Sequence, residues 1–98
     1  MDYKIILSLS ARHDLRDIVR YISLDAPDRA IVFGQFLISK TKMLGQFSEM
    51  GREVPEIGDP HIREIIVRSY RVIYRMDSSN RTVQIIRFWH AARGSPQI

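Results

Sequence analysis

Residues 63–93, REIIVRSYRVIYRMDSSNRTVQIIRFWHAAR, decide the fold. They read as three β-strands, Ile62–Ser69, Tyr70–Asp77 and Thr82–His90, with the polar turn Ser78-Ser79-Asn80-Arg81 between the last two. Along the middle strand Tyr70, Val72, Tyr74 and Met76 alternate with Arg71, Ile73 and Arg75. Successive strand residues point to opposite faces, so a Tyr/Val/Met face is expected to pack inward and an Arg-Ile-Arg face to look outward. The last strand, VQIIRFWH, is apolar on both faces. That implies a central strand, or a second face covered by something outside this chain.

The same stretch carries Arg63, Arg68, Arg71, Arg75, Arg81, Arg87 and Arg93, opposed only by Glu64 and Asp77. The protein has 98 residues, a net charge of +4 and no lysine after Lys42. Arginine presents a planar fork that matches carboxylate or phosphate, where lysine offers a point charge. The arginine row admits three readings: a solvated surface, a nucleic-acid contact, or a dock for an acidic protein segment. Tyr70, Tyr74, Phe88 and Trp89 lie between the arginines, as in stacking platforms for RNA. Placing both tyrosines in the core weakens that option.

Working outward, Lys4–Leu9 is a short apolar strand, and Ser8 or Ser10 can cap the helix that follows. From Ala11 to about Asp25, Leu15, Ile18, Val19 and Ile22 make one helical stripe. Arg12, Asp14, Arg16, Asp17 and Arg20 are expected on its solvated face. Ala26-Pro27 ends that helix. A second, capped by Asp25 or Asp28, is expected from Arg29 to about Phe47, with Ala30, Phe33, Leu37, Thr41 and Leu44 as its stripe. Gly34 lies inside it, where glycine is about 1 kcal/mol worse than alanine. Close approach to the first helix explains it best. A short connection makes the pair an antiparallel hairpin. Residues 48–60, with Gly51, Pro55, Gly58 and Pro60, read as an irregular connector, and 90–98 as a peripheral tail that leaves the fold. The result is one α+β domain over 1–98, in the order β-α-α-β-β-β, with the hairpin packed on the sheet.

Composition removes several classes. There is no cysteine, so neither disulfides nor thiolate chemistry. Three scattered histidines make a metal site improbable, and no cofactor motif is present. No run reaches membrane-spanning length, and MDYKIILSLS lacks the form of a signal peptide, so a cytoplasmic protein is expected. His13 reads as a surface residue and His61 as structural. The candidates for chemistry are Glu56, Arg71 and His90. A carboxylate or imidazole base could take the proton of an RNA 2′-hydroxyl while arginine holds the phosphate. The competing reading of Glu56 is that it pairs with a strand arginine and fixes the connector. Arg63, Arg68, Arg71, Arg75, Arg87, Trp89 and Arg93 are the candidates for partner or target binding.

A set of segments in order carries a resemblance: Asp14-Leu15-Arg16-Asp17-Ile18-Val19-Arg20-Tyr21-Ile22, Pro27 with Ala30, Gly51-Arg52-Glu53-Val54-Pro55-Glu56, Arg63-Glu64-Ile65, Tyr70-Arg71-Val72-Ile73-Tyr74-Arg75, and Arg87-Phe88-Trp89-His90-Ala91-Ala92-Arg93. Together they resemble the RelE/ParE superfamily of toxins from type II toxin–antitoxin systems, nearer the ParE branch. The resemblance implies a mainly antiparallel sheet and a cognate antitoxin with an acidic segment that folds on binding. Operator DNA would be met only through that antitoxin. It also implies one of two targets. ParE-like members poison DNA gyrase; RelE-like members are ribosome-dependent mRNA endoribonucleases. Glu56 and Arg71 match positions where some RelE-branch members hold a catalytic glutamate and arginine. His90 sits one place later than their histidine, and Ala91 follows where they have tyrosine.

Overall fold

The computed structural model describes residues 2–98. The elements are β1 (Lys4–Leu7), α1 (Leu9–Ser23), α2 (Pro27–Lys42), β2 (Arg52–Glu53), β3 (Ile62–Val67), β4 (Tyr70–Asp77) and β5 (Thr82–His90). Short 3-10 turns follow α2 at Met43–Gly45 and β5 at Ala91–Arg93. The strands form one sheet in the order β1-β5-β4-β3-β2. β1 runs parallel to β5 and every other pairing is antiparallel.

α1 begins two residues earlier than its apolar stripe suggests. Ser8 is the cap: its side chain accepts from the Ala11 amide and donates to the Ile86 carbonyl 2.9 Å away. One serine therefore starts the helix and ties it to β5. α2 also begins early, at Pro27, and neither Asp25 nor Asp28 caps it. Proline in the first turn has no N–H to satisfy and its φ is already helical. The helix tightens after Lys42 because the chain must meet β1: the Gly45 carbonyl accepts from the Tyr3 amide at 2.7 Å. Gly34 fulfils its expected role. A Cβ there would stand 2.9 Å from Val19 Cγ2 on α1.

The helical hairpin covers one face of the sheet. Ile18, Leu37, Leu44, Val72, Tyr74, Val83, Ile85 and Phe88 make that core, with Tyr70 and Met76 at its margin. The Tyr/Val/Met face is thus inward, as the alternation requires. β5 serves both faces through a bulge. Ile73 pairs with Arg87 but Tyr74 pairs with Ile85, so Ile86 has no opposite number. The extra residue shifts the phase. Phe88, not Arg87, then continues the inward row begun by Val83 and Ile85.

The other face departs from expectation. Ile73 is fully buried in a second cluster with Val54, Ile62 and Trp89, bordered by Ile57 and Ile86. The cover comes from this chain. The connector folds back over the sheet, and its residues Arg52–Glu53 form the edge strand β2, absent from the expected order, paired to Glu64 and Arg63. The tail does not leave the fold. Trp89 Nε1 donates to the Gly94 carbonyl and Arg87 Nη1 to the Gln97 carbonyl. Among the described residues, no helix is long and apolar enough to cross a membrane.

Candidate functional site

Arg71 is the centre of the second face, and it is buried. Its Nε donates to Glu64 Oε1 at 2.6 Å and its Nη2 to Glu64 Oε2 at 3.2 Å. Glu56 takes the other end of the fork, with Oε2 2.8 Å from Nη1 and Oε1 2.7 Å from Nη2. Glu64, itself 1% exposed, also accepts from Arg52 Nε at 2.9 Å. Two guanidinium groups and two carboxylates thus close a network of zero net charge. The hydrogen bonds from Arg71 and a backbone amide hold Glu56 far below the usual carboxylate range, at about 2. The same bonds to Glu56 and Glu64 raise the Arg71 pKa further above its already high value. The expected outward position of Arg71 is therefore corrected. Alternation put it on the face away from the helices, and the connector then covered that face.

His90 does not join this set. It sits across from Tyr70, whereas Arg71 sits across from Trp89. Directly opposed residues share a face, so His90 lies on the helix side of the sheet and Arg71 on the other. The imidazole meets the Tyr70 ring edge-on, with centroids 5.1 Å apart. Its Nδ1 accepts from the Ala92 amide at 3.1 Å and caps the final turn. Glu56 and Arg71 come together as the competing reading required, clamping the connector, and His90 is separated from them by the sheet.

The remaining candidates divide in two. Arg63 is spent on the connector, donating to the carbonyls of Pro60 and Gly51. Arg87 forks onto Asp14 of α1 with bonds of 2.7 and 2.8 Å. Those bonds raise its pKa, and they take Asp14 off the solvated face expected for it. Trp89 is buried, with the guanidinium groups of Arg87 and Arg93 over its ring at 4.9 and 3.9 Å. It is a core side chain that leaves almost no surface exposed. Arg68, Arg75 and Arg93 stay exposed. Among the described residues, no cluster of three or more histidine, aspartate or glutamate side chains could hold a metal ion.

Glu64 and Asp14 are the residues whose roles sequence reading missed. Glu64 had a signal: any antiparallel pairing of the first two strands that puts their apolar residues on one face puts Glu64 on the Arg71 face. Asp14 had none, because its partner lies 73 positions away.

The model of the family described as "ParE toxin of type II toxin-antitoxin system, parDE" matches residues 5–94. The chain belongs to the ParE toxin family. No curated protein matches it. Among solved structures, it resembles a chain of the chromosomal ParDE TA system from P. aeruginosa, with a TM-score of 0.75 and 20% identity over 90% of this chain and 95% of that one. The toxin–antitoxin complex RelBE2 from Mycobacterium tuberculosis matches with a TM-score of 0.67 and 20% identity over 92% of each chain. A mutant of E. coli toxin RelE in the free state matches with a TM-score of 0.70 and 17% identity over 96% of this chain and 88% of that one. The likeness places this toxin's hairpin and five-stranded mixed sheet in the RelE/ParE fold. Two of these neighbours are described as toxin–antitoxin systems.

Proposed function

We propose that this toxin acts by binding and poisoning DNA gyrase, and that its antitoxin neutralises it through an acidic segment that folds on contact. The observation that carries the reading is the closed Glu56–Arg71–Glu64 network. A general base for RNA cleavage needs a proton affinity near neutral pH and a line to the hydroxyl it deprotonates. Glu56, held at about 2, has both oxygens on Arg71. Arg71 has turned to two carboxylates the donors a phosphate would need. His90 lies across the sheet from both. Membership of the ParE branch agrees with a poison that acts by binding. Arg68, Arg75 and Arg93 are the exposed cations that such a surface can use.

A second reading, a ribosome-dependent mRNA endoribonuclease, has one observation in its favour: Glu56 and Arg71 do meet. It requires the pair to separate and the histidine to be replaced by a base from elsewhere.

The test is purified toxin, freed of antitoxin, added to gyrase and relaxed plasmid. Lost supercoiling and trapped DNA breaks at stoichiometric toxin are the expected result. Undiminished supercoiling, with message cut on programmed ribosomes by the same preparation, overturns it.

A further inference from the structure

The first helix, α1, sorts its charges by side. Arg12, Arg16 and Arg20 recur every fourth residue and are all exposed. They line one shallow groove with Leu7, Leu15 and Val19. Asp14 and Asp17 lie on the other flank, in a hollow beside Tyr21 and His90. Asp14 is committed there to Arg87. Among the described residues, none of Arg12, Arg16, Arg20 and Asp17 forms an ion pair. The side-chain bond that the three arginines do make is a long one, 3.4 Å from Arg12 Nε to the Leu7 carbonyl.

That spacing works against folding, because like charges four apart on a helix repel. The surface continues across α2, where Gln35, Ser39 and Lys42 line an adjoining groove with Leu15 and Val19. No aspartate or glutamate lines either groove. The result is a surface of one sign, with amide and hydroxyl groups among its cations.

We propose that Arg12, Arg16 and Arg20 bind the phosphate backbone of duplex DNA, with Lys42 at the margin, and that the DNA is the segment gyrase holds cleaved. The proposal rests on the gyrase reading above and deepens it: a poison that also grips the DNA opposes its release from the cleaved complex. An α-helix rises about 1.5 Å per residue, so the row is about 12 Å long. Duplex DNA presents roughly three or four phosphates per strand in that length. Arginine forks match phosphate oxygens, and glutamine and serine are common donors to them. No phenylalanine, tyrosine or tryptophan lines either groove, so unstacked bases have no platform and a duplex is favoured over a single strand. Leu7, Leu15 and Val19 are each partly buried, which leaves an acidic amphipathic peptide little to anchor on beside the arginines. Phosphate contacts carry no sequence information, so the binding is independent of sequence.

The test first reads DNA binding without gyrase. Purified toxin is titrated into a labelled duplex of arbitrary sequence at several salt concentrations. A Kd of about 10⁻⁴–10⁻⁶ M is expected near physiological salt, weakening steeply as salt rises. Toxin carrying Arg12→Gln, Arg16→Gln and Arg20→Gln is expected to bind about tenfold or more weakly and to flatten the log–log salt slope by about 2–3, since each phosphate contact contributes about 0.9. Its melting point should equal or exceed that of wild type. Arg29→Gln with Lys40→Gln and Arg81→Gln removes the same charge elsewhere and is expected to keep most of the affinity. With gyrase present, the α1 variant is expected to need about tenfold more toxin for the same yield of trapped breaks. Equal loss in the two triple variants overturns the proposal, because net charge alone then explains the binding. So does wild-type toxin that leaves the duplex unbound at low salt. Polyglutamate that displaces toxin as well as competitor duplex does overturns it in favour of an acidic protein segment. Wild-type toxin that binds duplex through the row and traps no breaks upholds the DNA site and removes the gyrase reading. Breaks trapped equally by wild type and the α1 variant keep the gyrase reading and overturn the DNA contact.

Discussion

Asp14 on α1 and Arg87 on β5 are joined by two hydrogen bonds across 73 positions of sequence. The same carboxylate accepts from the Phe88 amide at 3.0 Å. β1 stops at Leu7, opposite Ile85, so β5 has no strand beside Phe88. Asp14 satisfies the amide that a longer β1 would have taken, and it does so from a helix.

That makes Asp14 a stability residue despite its place in a run of charges. Asp14→Ala leaves a largely buried guanidinium and a backbone amide without their acceptor, at a cost of about 2–4 kcal/mol. Chemical denaturation of the variant measures it. Asp17→Ala, one position class away on the exposed surface, is the control and should stay within about 0.5 kcal/mol of wild type.

Arg71 and Arg75 should part company in the same assay. Arg71→Ala leaves the buried Glu64 carboxylate with Arg52 as its one remaining cation and Glu56 with none, and breaking such a buried network costs about 3–5 kcal/mol. Arg75→Ala touches an exposed side chain and should move the unfolding midpoint little. Equal, small effects of the two substitutions would show that the Glu64 network carries no weight.

Glu56 gives the fold an acid limb. Its folded-state pKa, about 2, lies below the ordinary 4.5. A depressed carboxylate stabilises the fold above its unfolded value, and that contribution is lost as pH falls through the folded one. Stability should therefore drop between pH 4.5 and about 2, the window set by those two values. Glu56→Gln should flatten this drop and lower the plateau near neutrality. Asp59 and Asp77, also shifted down by hydrogen bonds, keep part of the slope in both proteins. Urea midpoints from pH 2 to pH 7 separate the contributions.

Gly34→Ala sets two effects against each other. Helix propensity favours alanine by about 1 kcal/mol. Against it, the new methyl would stand 2.9 Å from Val19 Cγ2. Overpacking of that kind typically costs about 1–3 kcal/mol, and a β-branched neighbour has little room to turn. Net destabilisation is expected, with recovery when Val19→Ala is added. A single variant that melts above wild type would mean the helices can separate freely.

The local elements were legible because each depends on nearby residues. The 3.6-residue stripes gave the hairpin, and the alternation of Tyr70, Val72 and Tyr74 gave the inward face of β4. The site was legible only as a list of residues. Alternation assigns Arg71 and Ile73 to a face but says nothing of what lies over that face. The last strand read either as a central strand or as one covered from outside the chain; it lies between β1 and β4, and its second face is covered by Val54 and Ile57 of the connector. The bulge at Ile86 was equally hidden. It exists because Phe88 and Ile85 must both point inward from a strand whose simple period would send Arg87 there.

The sequence by itself determined two helices, the three main strands, the inward core and a positively charged second face. Those follow from periodicity and propensity, which act within a few residues. Only the tertiary structure decided which of those charges are spent. Arg71, Arg63 and Arg87 found partners on the connector, on β3 and on α1, while Arg68, Arg75 and Arg93 did not leave the surface. The reason is that ion pairs form wherever the fold happens to bring groups within about 3 Å. That distance is set by how layers stack, and no local pattern encodes it.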